Sequence, residues 1–108
     1  MEIIFHAHHA IVSERMRRRA EASVRRAAAR LTRAVDAIIR FEQDGRVKRV
    51  EIVLHAPRQR KLIARGEGSY YGPALAMAVG RLMNQIRTLR SERRRAERAR
   101  VVRKAATA

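Results

Sequence analysis

The residues best equipped for chemistry in this chain are arginines. Arg15, Arg19, Arg26, Arg30 and Arg33 fall within about 60° of one another on a helical wheel, with no carboxylate inside the strip. Arg81, Arg87 and Arg90 lie off the apolar stripe of a later helical segment. A guanidinium is a planar fork of donors that can hold two phosphate oxygens at once and can also stack on a base. The chemistry indicated is recognition of a polyanion by charge and shape.

Composition points the same way. The 108 residues carry 26 Lys and Arg against 10 Asp and Glu, a net charge of +16, and arginine greatly outnumbers lysine. Such an excess repels itself, and an anionic partner relieves it. Exposed aromatics suited to stacking on single-stranded bases are scarce: Phe5 and Phe41 read as core, and Tyr70 and Tyr71 sit together at a loop-to-helix junction where packing is their expected use. The expected ligand is therefore folded RNA, read by phosphate spacing and shape.

Other classes of function find little support. The absence of cysteine removes disulfides, thiolate catalysis and Cys-based zinc sites, and fits a reducing cytoplasm. No run approaches the ~18 apolar residues of a membrane span, so no membrane partner is expected. The carboxylates are scattered, and the Ser and Thr residues have no evident base and acid partners. The glycines form neither a phosphate-binding loop nor a dinucleotide turn. No catalytic residue, enzyme activity, cofactor or small-molecule substrate is expected. His6, His8 and His9 invite a metal site, but no carboxylate or cysteine is placed to complete it, so imidazoles beside an RNA surface are the preferred reading. His55 is expected to be an ordinary strand-end residue.

The elements that must position these arginines follow from hydrophobic period. Glu2–His6 alternates as a short strand, Ala7 to Val12 turns, and Ser13 with Glu14 behind it opens a helix expected to reach about Arg33. Its core face is Met16, Ala20, Val24, Ala27 and Leu31. Val35–Glu42 alternates again, Gln43-Asp44-Gly45 marks a hairpin, and Arg46–His55 is its second arm. Pro57 and its polar neighbours break the pattern before a fourth strand, Lys61–Glu67. A last helix opens near Gly72-Pro73 with Leu75, Val79, Leu82, Ile86 and Leu89 on one stripe. The fold class expected is α+β, ordered β-α-β-β-β-α, with one four-stranded mixed sheet and two long helices on one face. Residues 1–90 form the RNA-binding domain, and 91–108 are a basic helical or disordered C-terminal extension.

Order, lengths and residues together resemble the short, single-domain form of the ribosome hibernation-promoting factor and ribosome-associated inhibitor family, also described as sigma-54 modulation protein-like. The likeness covers residues 1 to about 95. It is most specific at Ala64-Arg65-Gly66-Glu67-Gly68, Tyr70-Tyr71 and Ala74-Leu75, which resemble the family's A-x-x-E-G-x-D-x-Y-A-A-I-D junction. Arg81-Leu82 with Gln85-Ile86 resembles its K-L-x-x-Q-L. The junction departs from the family where its aspartates become Tyr70 and Ala76 and its tyrosine becomes Gly72.

The resemblance implies a cytoplasmic protein that binds the small ribosomal subunit and its rRNA, occupies the decoding channel over the tRNA and mRNA sites, and silences idle ribosomes under stress or in stationary phase. It implies rRNA contacts for Arg26, Arg81 and Arg90, which match basic family positions, whereas Arg30, Arg33 and Arg87 rest on the wheel alone. Off the ribosome a monomer is expected. The alternative is a general double-stranded RNA or nucleoid-binding protein, since the α-β-β-β-α portion is similar to a double-stranded RNA-binding domain. That module carries a lysine cluster at the start of its last helix, where this chain has Ser69-Tyr70-Tyr71-Gly72-Pro73.

Overall fold

A computed structural model describes residues 1–31, 33–56 and 60–107. The expected break at Pro57 lies outside the described residues. Strands β1 (Glu2–His8), β2 (Asp36–Asp44), β3 (Val47–His55) and β4 (Lys61–Gly68) form one sheet in that order. β1 and β2 are parallel, and such a pair needs a crossover, which helix α1 (Glu14–Ala28) supplies. β2, β3 and β4 follow as an antiparallel meander, and helix α2 (Tyr71–Thr107) returns across the sheet. The result is the α+β order β-α-β-β-β-α with a four-stranded mixed sheet.

The β2–β3 hairpin turns one residue later than its sequence suggests. Asp44 still pairs with Val47, so the loop is Gly45-Arg46, and Gly45 (φ 61°) supplies the positive φ that a two-residue hairpin needs. The inward faces of the strands carry Ala37, Ile39, Phe41, Val50, Ile52, Leu54 and Ala64, all buried. Ala20, Val24, Ala27 and Ala28 of α1 and Ala74, Leu75, Ala78, Leu82, Ile86 and Leu89 of α2 close over them.

Helix α1 begins as expected, with the Ser13 Oγ accepting from the Met16 N–H at 3.1 Å. It ends earlier, at Ala28 instead of about Arg33. No glycine or proline stops it. The chain tightens into i→i+3 bonds, Arg30 N–H to the Ala27 carbonyl and Leu31 N–H to the Ala28 carbonyl, and this turn buries Leu31 before the chain enters β2.

Helix α2 behaves in the opposite way. It does not stop near Leu89 but runs without a break to Thr107, a rod of about 55 Å on a molecule 62 Å long. Pro73 sits in its first turn, where a missing N–H costs little. The seat of α2 on the sheet is set by Gly66 of β4: a Cβ there would lie 2.1 Å from the Ala74 carbonyl oxygen and 2.7 Å from the Ala78 nitrogen. Only a residue without a side chain lets the two backbones come this close.

Candidate nucleic-acid interface

β1, β2 and β4 run in one direction and each helix returns after one of them, so α1 and α2 lie side by side with their N-termini at the same end of the sheet. Charge on α1 is then divided between its flanks. Glu14 and Glu21 take the arginine one turn on, Arg18 at 3.8 Å and Arg25 at 2.9 Å. Arg25 also donates to the Met1 carbonyl at 3.0 Å, which ties this flank to β1. Arg15, Arg19 and Arg26 occupy a strip about 40° wide that faces outward and towards α2. Among the described residues no carboxylate or carbonyl engages these three guanidinium groups. Arg19 reaches across to the start of α2, where its Nη1 lies 3.4 Å from the point at which a Gly72 side chain would begin.

The early end of α1 removes Arg30 and Arg33 from the strip. Arg30 is in the tightened turn and Arg33 lies beyond it, both exposed, so the wheel that grouped them with Arg15 does not apply. The arginines of α2 are also separated. Arg81 donates from Nη1 to the Arg65 carbonyl at 2.7 Å, and Gln85 donates to the Ile63 carbonyl at 2.7 Å. Both side chains cover the free edge of β4, and Arg81 is held on the far flank of α2 from α1. At about 100° per residue Arg90 is roughly 180° around the helix from Arg81, which places it on the α1 side, while Arg87 points away from the sheet. Arg81 therefore stands apart from the α1 strip. Arg15, Arg19, Arg26, Arg87 and Arg90 share the outer helical surface.

The open face of the sheet has a different electrostatic character. Register aligns His6, Arg40, Glu51 and Arg65 in one row, and His8, Glu42, Arg49 and Glu67 in the next. Glu51 accepts from Arg40 at 3.1 Å and from Arg65 at 2.6 Å, and Arg49 donates to Glu67 at 3.2 Å. A shallow cleft of about 420 Å³ is lined by Arg40, Arg49, Arg65 and Arg81, but Glu42, Glu51 and Glu67 line it too. Acids and bases alternate here, so this face offers a phosphate backbone no sustained positive field. Among the described residues, Arg15, Arg19 and Arg26 on α1 carry charge with no such partner.

His6 and His8 belong to this open face and lie across the sheet from the helical layer. His9 has a left-handed φ of 50° and stacks edge-on against His8. No group of three or more His, Asp or Glu among the described residues could hold a metal ion. His55 pairs with Asp36, its register partner on β2, and so has a cross-strand role that its sequence position did not suggest. The tyrosines divide. Tyr71 is buried edge-to-face against Phe41, whereas Tyr70 is 70% exposed at the start of α2, with the Lys48 Nζ 6.0 Å from its ring. No described helix is long and apolar enough to cross a membrane.

No protein-family model matches the sequence, and no curated protein matches it. Solved structures do share its fold. A ribosomal subunit interface protein from Coxiella burnetii superposes with a TM-score of 0.74 at 16% identity, over 84% of this chain and 99% of that one. The N-terminal domain of Thermus thermophilus Protein Y superposes with a TM-score of 0.69 at 19% identity, over 82% of this chain and 94% of that one. The fold implied by the resemblance in the sequence is thus the fold of this chain.

Proposed function

We propose that this protein binds the small ribosomal subunit through rRNA, occupies the decoding channel over the tRNA and mRNA sites, and keeps idle ribosomes inactive in the cytoplasm under stress or in stationary phase. One observation carries the reading: on a fold shared with a ribosomal subunit interface protein, the acids of α1 are spent on Arg18 and Arg25, leaving Arg15, Arg19 and Arg26 unpaired on the outer helical surface that Arg87 and Arg90 continue. The mechanism is occlusion. The sheet holds the helices rigidly, the arginines bind phosphate, and the bound monomer fills space that tRNA and mRNA require. Arg30 and Arg33 contribute at the rim of the interface, and Arg81 stands outside its centre.

The test is ribosome binding by an Arg19→Gln/Arg26→Gln variant against an Arg40→Gln/Arg65→Gln control on the sheet face. Removing one arginine–phosphate interaction should lower the salt-dependence slope by about 0.7–0.9, so the first variant binds roughly 15- to 30-fold more weakly near ~150 mM salt. The control keeps its affinity. Equal weakening of the two variants would refute the assignment of the helical face.

A further inference from the structure

The end of α2 beyond Leu89 has no counterpart in the domain's packing. Every side chain described from Arg90 to Ala106 is exposed, and Glu92 pairs with Arg60 of the domain at 3.8 Å. From there the helix projects, about 27 Å counted from Leu89. The superposition on the Coxiella protein takes in 99% of that chain and 84% of this one.

Its charge is arranged unlike that of the domain. Residues 91–108 hold seven cations and two carboxylates, and the cations surround the helix. Arg93 and Arg100 lie on one side, and Arg95 and Arg98 lie roughly opposite. Arg90, Arg94 and Arg98 follow at intervals of four, a spacing at which like charges weaken a helix. With no apolar stripe to bury and seven cations against two carboxylates, the rod attracts anions. A flat partner could neutralise only the side that touches it, leaving the opposite arginines in water. Phosphates on two sides neutralise both.

We propose that the projecting end of α2 is a second RNA-binding element, which enters a groove or channel walled by RNA phosphate on both sides. This rests on the RNA-binding reading above and adds a site that continues along the helix axis from Arg90 at the edge of the domain's own strip, with Arg100 about 15 Å beyond it. The arm extends the interface along the axis of α2, and its glutamine variants leave the folded core untouched because none of its described side chains is buried.

The experiment compares the full chain with Arg93→Gln/Arg100→Gln and Arg95→Gln/Arg98→Gln, glutamine keeping helix propensity. Binding to purified small ribosomal subunits is measured over a salt series. Each pair of substitutions is expected to lower the salt slope by about 1.4–1.8 and to weaken binding roughly 15- to 30-fold near ~150 mM salt. Weakening confined to one pair means a one-sided surface and overturns the proposal. Unchanged binding by both pairs, with the unsubstituted chain still bound, overturns this site and leaves the domain's site standing. Failure of the unsubstituted chain to bind removes both readings together.

Discussion

Replacing Gly66 by alanine tests the packing on which the whole helical layer depends. The new methyl would begin 2.1 Å from the Ala74 carbonyl oxygen, 2.7 Å from the Ala78 nitrogen and 3.0 Å from the Met77 Cβ. The two nearest atoms are backbone, so no rotamer relieves the clash and trimming Met77 would not rescue it. To restore ordinary van der Waals separation α2 must withdraw by about 1 Å, and a gap of that size forfeits roughly a quarter to a half of the dispersion energy of each atom pair it separates. The side chains affected are Ala74, Leu75, Ala78 and Leu82, all buried against the sheet. Overpacking of this kind costs about 1–3 kcal/mol or more, and the lower entropy of the unfolded alanine chain returns ~0.4–1 kcal/mol. A net destabilisation of about 2 kcal/mol is expected, which lowers the Tm by roughly 8–16 °C. Gly80 is the matched control, because it lies in the same helix, is exposed, and has nothing within 4 Å of its added Cβ. Gly80→Ala should gain ~0.5–1 kcal/mol from helix propensity alone. Thermal and urea melts followed by circular dichroism measure both. A Gly66→Ala protein that melts with the parent would show that α2 does not cross β4 at this point.

Three further outcomes are expected. Ser13→Ala removes the acceptor for the Met16 N–H and should cost about 1 kcal/mol, read from urea midpoints, with no change in ribosome affinity. Tyr71→Phe keeps the ring against Phe41 and deletes a buried hydroxyl that has no protein partner, so stability at neutral pH should hold or rise by up to ~1 kcal/mol. Burial also pushes the Tyr71 phenol above its ordinary value of 10.0. The folded state therefore keeps this proton more tightly than the unfolded chain, and its contribution is complete below pH 10 and lost as pH rises through the folded value. Tyr71→Phe should flatten the fall in stability above pH 10, and an identical alkaline profile would refute the burial argument. Arg81→Gln should leave ribosome affinity within about threefold of the parent, a smaller change than removal of one phosphate interaction brings, because its guanidinium serves the Arg65 carbonyl. A weakening as large as that of Arg19→Gln/Arg26→Gln would restore Arg81 to the interface.

Much of the fold is legible because its elements announce their period. The alternation through Ile39 and Phe41, the Asp-Gly at Asp44-Gly45 and the stripe from Leu75 to Leu89 each depend on local spacing, which the folded chain preserves. The end of α1 is not legible. Ala27-Ala28-Ala29 is strongly helix-forming, and the stop comes from the need to bury Leu31 and bring Asp36 beside Glu2 in a parallel pair. That same stop takes Arg30 and Arg33 out of the strip.

The place of Arg81 is hidden in the sequence for another reason. A helical wheel gives a residue's angle from its own apolar stripe, but not which neighbour lies on which flank. Only the strand order β1-β2-β3-β4 makes one flank of α2 face α1 and the other the edge of β4. Gly66 does leave a signal. After Leu62 the inward residues of β4 are Ala64, Gly66 and Gly68, all small, a pattern that marks close approach of another element. The continuation of α2 to Thr107 is open in the sequence because its residues favour helix by propensity but lack any face to bury, so pattern alone supports a helix or a disordered tail.

The central claim is that this surface is specific for the ribosome, beyond its general attraction for phosphate. Sedimentation of the purified protein with small ribosomal subunits and, separately, with naked duplex RNA at ~150 mM salt tests it most directly, since at that ionic strength non-specific binding is already weak. The expected result is retention on the subunit and release from the duplex, with the Arg19→Gln/Arg26→Gln variant released from both. Equal release of the parent protein from subunit and duplex would contradict the account.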